Sequence, residues 1–151
     1  MRILVDADSC PVLDIIEKIA RNYNLDLLIF SDIYHNIKSD YGKIKKVDRK
    51  DEEADMILFN HSRSRDIVIT QDYGLAAMLL SKDCKVINNK GQIFSDDNID
   101  YLLMKRHHNS KLRRAGKKHP TAKKRKKKDD IKFKKSLEKI IKLNSKENDK
   151  I

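Results

Sequence analysis

The chain predicts an α/β domain: a doubly wound, mostly parallel sheet of about five strands with helices on both faces, extended by a basic helical C-terminal arm. Three observations predict it. Short Val/Ile/Leu runs such as residues 3–5 and 67–69 are apolar without alternation, the mark of strands covered on both faces. Between such runs lie segments whose apolar residues recur at helical spacing. Strands alternating with helices at this interval imply βαβ crossovers and therefore a parallel sheet. With 151 residues, one core suffices, and a chain of this size buries roughly 70% of its unfolded surface.

Each element follows in order. Residues 2–6 read as a buried strand ending on Asp6. A helix then starts with Asp8 or Ser9 as cap and Pro11 in the first turn, where a missing N–H costs nothing. Val12, Ile15, Ile16, Ile19, Ala20 and Tyr23 give it an apolar face. Residues 25–30 form the second strand, a polar stretch runs through Gly42, and residues 44–47 form a short third strand. Residues 51–63 read as a helix with Ala54, Ile57, Leu58 and His61 inward, followed by a strand at 66–70. A helix over 73–81 packs through Leu75, Ala76, Met78 and Leu79, and a strand at 85–88 is turned by Gly91. Ser95, Asp96, Asp97 and Asn98 then start a helix that runs through Leu102 and Leu103 toward Arg114. Residues 116–128 have no apolar periodicity and read as a loop. A last helix begins near Asp129, with Phe133, Leu137, Ile140 and Ile141 spaced to dock on the domain, and the final eight residues are expected to be disordered. The division is thus an α/β domain over 1–115 and a basic arm over 116–151.

Charge divides the chain in the same way. Residues 1–104 carry 14 Lys/Arg and 18 Asp/Glu, net −4, whereas residues 105–151 carry 20 Lys/Arg and 5 Asp/Glu, net +15. No apolar run approaches the roughly 20 residues of a membrane span, and Met1 leads directly into a strand with no signal peptide, so a soluble cytoplasmic protein without a membrane partner is expected. Cys10 and Cys84 stand outside any CxxC and read as reduced thiols.

The carboxylates concentrate where apolar elements end. A doubly wound sheet sets its first strand beside its fourth, and ligands bind at the carboxyl ends there. Asp6, Asp8 and Asp72 would meet at that point, with Asp55, and Asp51 one turn before it, leaning over the same crevice. Like charges a few Å apart do not all stay ionised unless a cation sits among them. Oxygen donors completed by water favour Mg²⁺ or Mn²⁺, as one or two ions. Competing roles exist for single residues: Asp8 reads equally as the cap of the first helix, Asp51 and Glu52 as complements to a helix N-terminus, and Asp72 as the cap of the helix after it. Asp6 differs, because a carboxylate ending an apolar strand is costly to bury without a partner.

The strings Ile3-Leu4-Val5-Asp6-Ala7-Asp8-Ser9-Cys10-Pro11-Val12, Glu53-Ala54-Asp55 and Ile69-Thr70-Gln71-Asp72-Tyr73-Gly74-Leu75-Ala76 closely resemble the YaiI/YqxD family of bacterial proteins, themselves similar to PIN-domain nucleases. The likeness extends to about residue 143 and includes Arg106-His107 and Arg113-Arg114-Ala115-Gly116, while Ser9 stands where the family usually has alanine. The resemblance implies three or four acidic residues around divalent ions and hydrolysis of RNA, or flapped DNA, by metal-activated water. By that analogy Asp6, Asp55 and Asp72 would be primary ligands and Asp8 an outer ligand or water-orienting group, with Asp51 a weaker candidate. These four, Asp6, Asp8, Asp55 and Asp72, are the catalytic and metal candidates.

In the basic arm, Lys105, Arg106, Arg113, Arg114, Lys123, Lys124 and Arg125 are candidates for sequence-independent contact with a nucleic-acid backbone, RNA favoured. His35, His61 and His119 lack metal-ligand spacing. Two other readings compete. An Asp-x-Asp after a first strand also marks haloacid-dehalogenase-type phosphatases, with Asp6 as nucleophile, Asp8 as general acid and Asp96-Asp97 imitating their acidic pair. The third reading is a non-catalytic RNA-binding module on a nuclease fold.

Overall fold

A computed structural model describes residues 1–8, 10–48, 54–120 and 123–150 of the chain. In order, the elements are β1 (Ile3–Asp6), α1 (Leu13–Asn22), β2 (Leu27–Asp32), β3 (Lys43–Val47), α2 (Ala54–His61), β4 (Ile67–Ile69), α3 (Tyr73–Ser81), β5 (Lys85–Ile87), β6 (Ile93–Phe94), α4 (Ile99–Arg114) and α5 (Lys127–Asp149). The strands form one sheet in the order β3-β2-β1-β4-β5-β6. All neighbours pair parallel except β5 and β6. β1 lies between β2 and β4, so the direction of winding reverses beside it, consistent with the doubly wound PIN-like architecture that the resemblance implies.

Alternation of side chains along the strands divides the core in two. Ile3, Val5, Leu27, Ile29, Ile67, Ile69 and Ile87 face α1 and α5, meeting Ile16, Ile19, Phe133, Leu137, Ile140 and Ile141. On the other face Leu4, Leu28, Phe30, Val68 and Val86 meet Leu58 of α2, Leu75, Ala76 and Leu79 of α3, and Ile99 and Leu102 of α4. Phe133 is fully buried, and a side chain of that size contributes about 2–3 kcal/mol by leaving water. The amphipathic face of α5 thus completes the core layer over α1.

Several boundaries differ from the sequence reading, each for a physical reason. β2 extends to Asp32 because its register with β3 continues through Ser31 and Asp32 despite their polarity. β6, a sixth strand, is two residues long, too short for a pattern to register. α1 begins at Leu13, and its N-cap residue Val12 makes no side-chain cap hydrogen bond; the Asp8 carboxylate, five residues ahead, accepts the Asp32 N–H, and Ser9 lies outside the described residues. Met78 and His61 are exposed rather than packed inward. Most of the tail expected to be disordered is helical, to Asp149. There Asn144 is buried, donating to the Arg65 carbonyl at 2.8 Å while the Arg65 guanidinium donates to the Asn144 carbonyl at 3.1 Å. Cys10 and Cys84 are free thiols whose pKa values burial pushes upward. Among the described residues no helix is long and apolar enough to cross a membrane.

Candidate functional site

The carboxyl edge of the sheet gathers the acids from three adjacent strands. Asp6 ends β1 and Asp32 ends β2. Because Asp6 pairs with Phe30 in the parallel register, two residues further on Asp8 comes opposite Asp32. The Asp8 side chain, only 8% exposed, accepts the Asp32 N–H at 3.2 Å and faces His35 Nδ1 at 3.0 Å, both through Oδ1. His35 is carried there by a turn after β2, in which its N–H donates to the Asp32 carbonyl and Asp32 Oδ1 accepts the Tyr34 N–H.

The result is a cluster of one donor atom each from Asp8, Asp32 and His35, all within 4.8 Å of one another. Ligands about 2.1 Å from one octahedral ion stand about 3 Å apart when adjacent and about 4.2 Å when opposite. The 3.0 Å between His35 Nδ1 and Asp8 Oδ1 is that of a direct polar contact as well as of adjacent ligands, and the three residues form a candidate cation site. His35 adds an imidazole nitrogen to a candidate ligand set that sequence spacing read as oxygen-only.

Asp8 also lines a narrow crevice together with Asp6 and Asp55, floored by Phe30, Leu58 and Leu75. Asp55 is exposed in the first turn of α2, while Asp51 and Glu52 lie outside the described residues. Asp72 reaches this neighbourhood indirectly. The Thr70 hydroxyl donates to Asp6 Oδ2 at 3.3 Å and accepts the Asp72 N–H at 3.1 Å, tying the ends of β1 and β4 together. Asp72 Oδ1 caps α3 by accepting the Leu75 N–H at 3.1 Å, and Arg106 Nη1 lies 3.7 Å from the same oxygen. The capping role is therefore real, and Asp72 stands beside the Asp8 cluster rather than within it.

Of the basic candidates, Lys105, Arg106, Arg113, Arg114, Lys123 and Lys124 are exposed. Arg125 is not available in the same way. Its guanidinium pairs with Asp130 at 2.7 Å and donates to the Asn89 carbonyl at 2.7 Å, which makes it an anchor for the start of α5. Asp96 and Asp97 follow β6, and because β6 runs antiparallel they belong to the amino edge, opposite Asp6. They supply no acidic pair to the crevice.

Asp32 and His35 escaped the sequence reading. The signal for Asp32 was present, since it closes an apolar strand as Asp6 does, but a strand drawn to end at Phe30 left it in the loop.

The chain matches the model of the YaiI/YqxD family, described as uncharacterised, over residues 4–143. A UPF0178 protein of Alkaliphilus oremlandii is 45% identical over 154 residues, covering 99% of each chain. One from Clostridium tetani is 49% identical over 107 residues, 71% of this chain and 73% of its own length. A third, from Natranaerobius thermophilus, is 44% identical over 141 residues, covering 93% and 96%. No solved structure matches the chain. Full-length likeness of this order to several relatives, together with a family model spanning most of the chain, establishes that it belongs to the YaiI/YqxD family.

Proposed function

We propose that the protein is a divalent-metal-dependent nuclease that hydrolyses a phosphodiester of RNA, or of structured nucleic acid, at the carboxyl edge of its sheet. The observation that carries this reading is the convergence of Asp8, Asp32 and His35 on a volume fit for one cation, on the rim of a crevice that Asp6 and Asp55 also line. Asp8, Asp32 and His35 hold the ion, Mn²⁺ or Mg²⁺. Asp55, on the same crevice, and Asp72, beside it, are the further metal candidates. When bound, the ion lowers the pKa of a water and neutralises phosphate oxygens.

The remaining roles belong to the chain. Asp6, steadied by the Thr70 hydroxyl, accepts the proton that water releases as it attacks phosphorus. Thr70 also keeps Asp72 beside Asp6 through the Asp72 N–H. The positive arm offsets the repulsion between an acidic crevice and a polyanion, which would otherwise keep substrate away. A phosphatase acting through Asp6 is disfavoured because Asp96 and Asp97 lie at the opposite edge of the sheet.

Labelled single-stranded RNA incubated with Mn²⁺ tests the proposal beside Asp6→Asn. Cleavage by the parent, lost in the variant and in EDTA, is the expected result. Turnover of para-nitrophenyl phosphate with a trapped aspartyl-phosphate would establish the phosphatase instead. Salt-sensitive RNA binding with neither cleavage nor metal uptake would leave only a binding module.

A further inference from the structure

A second cleft, of about 690 Å³, opens beside the crevice and holds no acid among its described lining residues. Gln71 and Tyr73, the two neighbours of Asp72, line it, and Tyr73 stands two residues before Leu75 of the crevice floor. Lys105, Arg106 and Arg113 of α4 form one wall, and His119 forms part of the other. Arg106 belongs to both regions: its Nη1 is 3.7 Å from Asp72 Oδ1, and its guanidinium lies 5.7 Å from the centroid of the Tyr73 ring.

His119 follows α4 and lines the cleft. Beyond that, Arg125 donates to the Asn89 carbonyl in the β5–β6 turn at 2.7 Å and pairs with Asp130 of α5. Gly91 in the same turn, at φ +84°, lets α5 approach so closely that a Cβ there would stand 2.9 Å from the Lys132 carbonyl oxygen. The start of α5 is therefore fixed to the β5–β6 turn.

We propose that this cleft is the track for one unpaired nucleic-acid strand, holding the phosphates next to the reacting one through Lys105, Arg106, Arg113 and His119. Three cations along one helix, of which Arg106 also faces Asp72, suit a row of phosphates, and contacts of this kind carry no sequence information. The size selects the form of the polymer. A cleft of this volume matches a ligand of drug-like dimensions, one or two nucleotides of an unpaired strand, whereas a duplex would meet it only with the outside of its backbone. Arg106 links the track to the acidic edge, so the strand leads from the cleft toward the crevice. The nature of the polymer rests on the nuclease reading; the cleft itself does not.

Binding measured without metal separates the two. Fluorescence anisotropy in EDTA, where the strand stays uncut, compares a labelled eight-nucleotide RNA with an RNA duplex of the same length. Lys105→Gln with Arg113→Gln is set against Lys139→Gln with Lys142→Gln, an equal charge change on the exposed side of α5, with melting curves confirming that both fold. Each lost phosphate contact lowers the salt slope by about 0.7 on a single strand. The cleft variant is therefore expected to bind about 25-fold more weakly at 0.1 M salt, with the slope smaller by about 1.4. The α5 variant should change less than about twofold, and the duplex should bind at least about tenfold more weakly than the strand. Equal losses in the two variants, duplex binding as tight as the strand, or no binding by the parent would overturn the cleft. Binding as expected with no cleavage in Mn²⁺ would sink the nuclease reading and leave the cleft standing.

Discussion

Asp66 and Asp8 are both carboxylates shielded from water, at opposite edges of one sheet, and their surroundings differ in kind. Asp66, just before β4 at the amino edge, is 2% exposed and receives four donors: the Arg2 N–H at 3.1 Å, its Nε at 3.3 Å, its Nη2 at 2.6 Å, and the Arg63 N–H at 2.9 Å. The charge is balanced within the fold, across β1 and β4, and the arrangement serves to fasten two strands. Asp8, at the carboxyl edge, stands beside a second carboxylate, Asp32, and an imidazole that is itself largely exposed. A carboxylate that stabilises a fold brings its counter-charge with it. One set among further ligand-type groups is better suited to an ion from solution.

The largest effect that sharpens this contrast is at Asp66. Removing one member of a buried pair leaves the other uncompensated, so Asp66→Ala should cost about 3 kcal/mol in urea unfolding, the lower end for such losses because Arg2 keeps some solvent contact. Mn²⁺ should not alter that deficit. At Asp32 the pattern reverses. In EDTA, Asp32→Asn should melt no lower than the parent, because it relieves repulsion with Asp8 while an amide oxygen still accepts the Tyr34 N–H. Added Mn²⁺ should then stabilise the parent by about 2.7 kcal/mol at a hundredfold excess over its dissociation constant, and the variant hardly at all. A variant that melts well below the parent in EDTA would make Asp32 structural, like Asp66.

The smallest effect lies at the start of α5. Asp129 accepts the Lys126 N–H at 2.8 Å at the start of α5, and that bond holds its carboxyl below the usual carboxylate range. A depressed native pKa gives stability that is present above the unfolded-state pKa and lost as the pH falls through the native one. Thermal melts of Asp129→Ala should therefore fall short of the parent near pH 7 and converge with it in strong acid; a gap that widened on acidification would contradict the assignment.

The sheet was legible because parallel strands buried on both faces have no polar face to obscure them, and Ile67–Ile69 of β4 is apolar throughout. What escaped depended on register. Asp8 and Asp32 are 24 positions apart and meet only because β1 and β2 pair with Asp6 opposite Phe30, an alignment that no local pattern encodes. His35 follows from Asp32 through one turn, so missing the first meant missing the second. Asp6, Asp8 and Asp55 are strand-end and helix-start carboxylates, readable one at a time, and all three line one crevice. Asp72 follows β4, and its oxygen serves α3 and Arg106. Arg125 looked like one more cation in a run of six, and only the position of Asn89 and Asp130 reveals it as a fastener. The end of α5 was misjudged because the buried contact between Asn144 and Arg65 spans 79 residues.

The claim that the carboxyl edge takes up a cation is tested most directly by calorimetric titration of Mn²⁺ into the parent and into Asp8→Asn, with folding of both confirmed by circular dichroism. Saturable binding by the parent, abolished in Asp8→Asn and weakened at least about tenfold in His35→Ala, is the predicted result. Absence of binding by the folded parent, or unchanged binding by Asp8→Asn, would contradict it.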